Sequence, residues 1–186
     1  MLIAPRRNGF SLIEVMVSLV ILVIGLIGIF NLHLVAKKGS FESFQQTQAS
    51  YYANDIVNRM RLNSSQLDDY AGTYTGTSVA AGKVCDVSVG GNALCTKIEM
   101  ENWDLYQWER SFYGENEQSG GKNLGGLDSP VACIDIDGAT VTVVMTWKGI
   151  RSSSDGASTH SDFVKSCGTS SDRRRVLVLN TAIIKE

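Results

Sequence analysis

The sequence predicts an α+β protein: one long amino-terminal helix, transmembrane and then amphipathic, packed on an antiparallel β-sheet, with a short extra helix. Three observations predict it. From Val15 to Phe30 the chain carries no charged residue, and the apolar run reaches Leu32. Beyond it Phe41, Phe44, Gln48, Tyr52, Ile56 and Met60 recur three or four residues apart, the spacing of one helix face. Further on, apolar residues alternating with polar ones flank Asp137-Gly138, a strong hairpin signal.

Composition sets the outer limits. The 186 residues suit one globular domain with an attached segment. Apolar residues make up 44% and charged residues 19%, but much of the apolar content is concentrated near the amino terminus. A net charge of -2 gives no sign of a nucleic-acid surface.

The apolar segment is long enough to cross a bilayer. The 18 residues from Val15 to Leu32 match the span a helix needs, and a helix starting at Phe10 would cross with some tilt. Three readings compete: a cleaved secretory signal, a permanent anchor, and an assembly helix that later leaves the membrane. Leu34-Val35-Ala36 makes a poor signal cleavage site, and the run is long for a signal core. Arg6 and Arg7 on one side are matched by Lys37 and Lys38 on the other, so charge does not orient the helix. Cys85, Cys95, Cys133 and Cys167 all follow the run, which favours export of that side.

One acid stands at the edge of this run. A carboxylate within hydrocarbon costs roughly 2.5–3.5 kcal/mol on insertion scales, so Glu14 needs a partner or a task. Gly25 and Gly28 are the weak helix formers inside the segment, each costing about 1 kcal/mol relative to alanine. Close helix packing by small residues is the favoured explanation over a stretch that loosens during assembly.

The helix is expected to continue to Leu62, about 80 Å in all. Residues 10–35 form its apolar part and 36–63 its amphipathic part. The face opposite the stripe carries Glu42, Gln45, Gln46, Asn54 and Arg59, and Asp55 with Arg59 forms an i,i+4 pair in the favourable order.

The globular part is expected over 64–186. After Asn63-Ser64-Ser65, residues rich in Gly, Ser, Thr and Tyr read as a surface loop to Gly82. Thr96 and Glu99 have capping-box spacing, so a short helix should run to about Tyr113, with Ile98, Leu105, Trp108 and Phe112 on one face. Trp103 and Trp108 suit a binding platform or, more commonly, core and helix-docking roles. Strands are expected over 132–136, 140–147 and 176–184, the last apolar enough to be central in the sheet. Between the last two lies a long Ser/Asp/Gly loop containing Cys167. Such a loop calls for a staple, which suggests Cys133–Cys167, with Cys85–Cys95 as a smaller local bridge. Four cysteines allow three pairings, and the sequence does not choose among them.

No catalytic arrangement emerges. His33 and His160 lack ligand-spaced neighbours, so zinc is not expected. Asp135 and Asp137 are explained by strand alternation and the turn. Arg173-Arg174-Arg175 offers a phosphate or an acidic partner three cations, yet a solvated flank before a buried strand is the default expectation. No nucleophile–base pair, phosphate loop or dinucleotide glycine pattern is present, so the chain is expected to be neither an enzyme nor a cofactor carrier.

The opening residues resemble those of the type IV pilin and pseudopilin superfamily. The resemblance rests on the basic leader 1–9, the Gly9-Phe10 junction and Phe10-Ser11-Leu12-Ile13-Glu14-Val15. It implies a ladle-like pilin fold, cleavage by a prepilin peptidase between Gly9 and Phe10, and N-methylation of Phe10. It also implies that Glu14 meets an amino-terminal amine of a neighbouring subunit. The charge pairing is physically sensible, since opposite charges in low dielectric relieve a cost each carries alone. Many major pilins have a proline deeper in this helix, whereas here none lies between Pro5 and Pro130.

Within the superfamily the chain is similar to minor pilins of the type IV pilus modification protein PilV type. Residues 9–28, Arg59-Met60-Arg61-Leu62-Asn63, and Asn102-Trp103-Asp104-Leu105-Tyr106-Gln107-Trp108 carry this likeness, together with the Cys133-to-Trp147 hairpin. It implies a subunit that joins other minor pilins and the major pilin at the pilus tip, primes assembly on the assembly platform and presents a tip adhesin. Twitching motility, adhesion and DNA uptake would follow. The implied location is the bacterial inner membrane with a periplasmic carboxyl-terminal domain, then the pilus tip. A type II secretion pseudopilin and a membrane-anchored exported binding domain are the alternatives.

Overall fold

A computed structural model describes residues 9–86 and 94–185. The chain divides into two compact units, Met1–Phe41 and Glu42–Glu186. Helix α1 spans Leu12–Leu62, 51 residues without a break. No proline interrupts it, and Gly25 and Gly28 are accommodated in regular helix with open space around them.

In the second unit α1 docks on a four-stranded antiparallel sheet. The strands are β1 (Gly72–Tyr74), β4 (Val131–Asp137), β5 (Thr140–Lys148) and β6 (Arg174–Ala182), in the order β1-β4-β5-β6. A two-residue hairpin, β2 (Gln118–Ser119) with β3 (Lys122–Asn123), stands apart. Helix α2 covers Lys97–Tyr113, the short α3 covers Asp162–Ser166, and a 3-10 helix follows α1 at Ser64–Tyr70. Thr96 and Glu99 close the expected capping box, and Gly114 ends α2 in the left-handed region.

The β4–β5 turn lies where Asp137-Gly138 signals it, with Asp137 opposite Thr140 and Gly138 at φ 61°. The expectation for the last strand needs correction, because β6 is an edge strand. Its apolar character comes from cover on both faces. Leu177 and Leu179 pack on the main core, while Val176 and Val178 pack on a second cluster around Cys133, Val144 and Cys167. The outer edge of β6 is engaged at its start, where the Gly156 amide donates to the Arg174 carbonyl at 2.9 Å.

The α1 face that docks is shifted from the expected stripe. Gln45, Ala49, Tyr52, Ala53, Ile56, Val57 and Met60 are buried, whereas Phe41 and Phe44 are exposed. Hydrogen bonding decides this. The Gln45 amide donates to the Gly126 carbonyl at 3.2 Å and accepts from the Asp128 amide at 2.9 Å, so both the nitrogen and the oxygen of a buried glutamine are partnered. Ala49 and Ala53 let the helix approach closely. Trp108 and Phe112 fill the space between α1 and α2, each contributing about 1.5–3 kcal/mol by burial. The Trp108 indole also donates to the Tyr52 carbonyl at 2.8 Å. Ile98, expected on the same face, is exposed at the start of α2.

Polar links join α1 to α2. Arg59 pairs with Asp55 at 3.1 Å, as its i,i+4 spacing suggests, and also with Asp104 at 3.0 Å. Asp104 in turn accepts from the Tyr70 hydroxyl at 2.9 Å. Burial raises the Tyr70 phenol well above the usual tyrosine range, so it remains a donor.

Candidate functional site

The candidate site is the start of α1. Gly9 and Phe10 precede the helix and are exposed, Phe10 at 85%. A protease needs such accessible, non-helical backbone at its scissile bond. Residues 1–8, which include Arg6 and Arg7 of the expected leader, lie outside the described residues. The first turn closes on Ser11, whose carbonyl accepts from the Glu14 amide at 3.0 Å and the Val15 amide at 3.3 Å.

Glu14 therefore sits in the first turn of α1, where the partial positive charge of the helix amino terminus favours a carboxylate. Its side chain forms no ion pair among the described residues. The Ser18 hydroxyl donates to the Glu14 carbonyl at 2.7 Å, which satisfies a polar group inside the apolar stretch. From Val15 to Phe30 the helix carries no charged residue. Its 18-residue apolar window is wholly exposed in the isolated chain, so the helix can cross a membrane by length and composition. The chemistry available here is binding and charge pairing.

Elsewhere the structure brings the cysteines together in two bonds, Cys85–Cys95 and Cys133–Cys167. Trp108 is core. Trp103 is half-buried and stacks on Tyr106 with ring centres 5.7 Å apart. Three polar anchors in the second unit carry weight that sequence reading passed over. Glu109 is buried in α2 and accepts four backbone amides, from Thr75, Gly76, Ser78 and Val79, at 2.7–3.0 Å. A signal existed: Leu105, Trp108, Glu109 and Phe112 share one helical face. Glu42 receives the Ile150 and Arg151 amides at 2.8 and 3.1 Å and the Arg175 guanidinium at 3.3 Å. Burial alone would raise its carboxyl, but these donors outweigh it and hold it below the ordinary value.

The third anchor is Arg174, and here the expected solvated flank is corrected. Arg174 is buried, and Arg175 is half-buried against Glu42. Arg174 and Arg175 are consecutive residues of β6 and so point to opposite faces, whereas Arg173, just before the strand, is exposed and donates to the Ser152 hydroxyl at 3.3 Å.

Comparison with known families bears on the amino terminus. Residues 4–30 match the prokaryotic N-terminal methylation motif. The chain carries a prepilin-type amino terminus. The match supports placement in the type IV pilin superfamily, as a pilin-like or pseudopilin protein, and implies processing by a prepilin peptidase. Comparison with curated proteins and with solved structures returns no match. The prepilin motif and the apolar helix fit anchorage in the inner membrane, and together with the α+β fold they fit a structural subunit.

Proposed function

We propose that the chain is a minor pilin of a type IV pilus, of the PilV type: a structural, non-enzymatic subunit of the tip complex that primes assembly and helps present an adhesin. The observation that carries the proposal is the coincidence of the methylation motif with Glu14, the lone carboxylate at the mouth of an otherwise apolar helix. In this reading the peptidase cuts between Gly9 and Phe10, the new Phe10 amine is methylated, and Glu14 docks against the amine of a neighbouring subunit. Both disulfides would form in the periplasm, to which the domain after α1 is exported. Its partners are other minor pilins, the major pilin, the assembly platform and the adhesin.

Mass analysis of the amino terminus of membrane-extracted protein tests the first step. A chain beginning at N-methylated Phe10 is expected, and an intact leader would overturn the proposal. Deleting the gene tests the second: loss of surface pili is expected, whereas lost exoprotein release with normal pili would assign a type II secretion pseudopilin instead.

A further inference from the structure

A cavity of about 300 Å³ opens within the second unit, between α1 and the loop that follows α2. Its wall is rich in hydrogen-bond acceptors. The exposed Glu117 lines it with a carboxylate, and Gly114, where α2 ends, forms part of the wall. The neighbouring Glu115 is neutralised by Arg110 at 2.9 Å, whereas Glu117 has no cationic partner among the described residues. No lysine or arginine lines the cavity.

Tyr52 supplies a second, independent sign. It is only 7% exposed, and its hydroxyl has no hydrogen-bond partner among the described residues. That hydroxyl is not sealed in the core, and Tyr52 lines the cavity. Burial pushes the phenol above the usual tyrosine range and the Glu117 charge adds to the effect, so carboxylate and phenol share one space. The Asn116 amide nitrogen is already engaged by the Ser111 hydroxyl at 3.1 Å, which leaves its carbonyl free to accept. Tyr51 stands at the rim, 65% exposed.

We infer that this cavity receives an arginine side chain of a neighbouring protein. A guanidinium has five donors and no acceptor, matching a wall of carboxylate, phenol and amide oxygens. Its flat face suits the exposed Tyr51 ring. A divalent metal would find a single carboxylate, too little charge for a site of its own. The pairing uses only residues of the second unit and does not depend on Glu14 or on the kind of filament.

Site-specific photocrosslinking of the full chain in its own cells tests this, with p-benzoylphenylalanine replacing exposed Thr47, one turn before Tyr51. A crosslinked polypeptide is expected whose attachment site, mapped by mass spectrometry, lies within a few residues of an arginine. Glu117→Gln should lower the yield roughly tenfold, as loss of a charge-assisted pair implies. Glu117→Arg should abolish it, and replacing the mapped arginine by glutamate should restore it. Retention of both disulfides on non-reducing gels checks that the variants fold. Tyr52→Phe, which removes a single oxygen, should lower the yield several-fold and serves if Glu117→Gln misfolds. No polypeptide crosslink, attachment to lipid alone, or an unchanged yield in these variants would overturn the inference.

Discussion

Arg174 and Asp155 form a two-pronged ion pair, with Nε to Oδ1 and Nη2 to Oδ2 both at 2.8 Å. The remaining guanidinium nitrogen, Nη1, donates to the carbonyls of Lys165, Cys167 and Gly168. One side chain thus gathers both ends of the long loop beside the Cys133–Cys167 bond. Arg174→Ala should strand the Asp155 carboxylate and three carbonyls and destabilise the second unit by roughly 3 kcal/mol. Arg174→Lys should recover only part of this, because an ammonium cannot reproduce the fork. Denaturant unfolding of the full chain in detergent checks both.

The same pair makes stability depend on acid. Hydrogen bonds from Arg174 and Ser170 hold the Asp155 carboxyl far below its usual range, and the Ala157 amide adds to this against a small opposing effect of burial. A carboxyl depressed in the folded state stabilises the fold above its unfolded value, about 3.9, and that contribution is lost as pH falls through the folded value. Glu42, also held low, acts in the same direction. Unfolding midpoints at constant ionic strength should fall steadily below about pH 4. Asp155→Asn should show a shallower acid slope than the unaltered chain.

Glu109 predicts a local effect. Its Oε1 accepts three amides and its Oε2 one, so Glu109→Gln turns an amino group toward the Val79 amide. A loss of about 1–3 kcal/mol is expected, the cost of a buried donor left unpaired. Hydrogen exchange should accelerate at Thr75, Gly76, Ser78 and Val79 before it does in β4 or β5.

The two disulfides should differ in worth. Cys133 and Cys167 are 34 residues apart and Cys85 and Cys95 only 10. Loop entropy then gives about 4 kcal/mol for the first and nearer 3 kcal/mol for the second. Paired serine substitutions compared by unfolding test the ranking, and peptide mapping without reduction tests the pairing itself.

Glu14→Ala should leave membrane insertion and leader removal largely intact while impairing entry into the filament or its tip complex. Comparing processed protein in membranes with protein in sheared pili separates these steps. Normal recruitment of the alanine variant would end the docking role given to Glu14.

Several features were legible because they are local. The apolar run, the capping box of Thr96 and Glu99, the turn at Gly138 and the Asp55–Arg59 pair each depend on residues a few positions apart. The docking face of α1 was legible only in part. Periodicity finds a stripe, but Gln45 is buried and Phe44 exposed because Gly126 and Asp128, some 80 residues away, satisfy the glutamine amide. The edge position of β6 was hidden for a similar reason, since cover on both faces gives an edge strand the composition of a central one.

By itself the sequence determined the prepilin-type amino terminus, because the methylation motif, the lone carboxylate and the apolar run are contiguous in the chain and need no tertiary contact to be recognised. Only the tertiary structure decided what Glu42, Glu109 and Arg174 do. A charged side chain looks solvated in sequence until distant backbone amides, carbonyls and counter-ions converge on it. That convergence compensates its desolvation, and it exists only once the chain has folded.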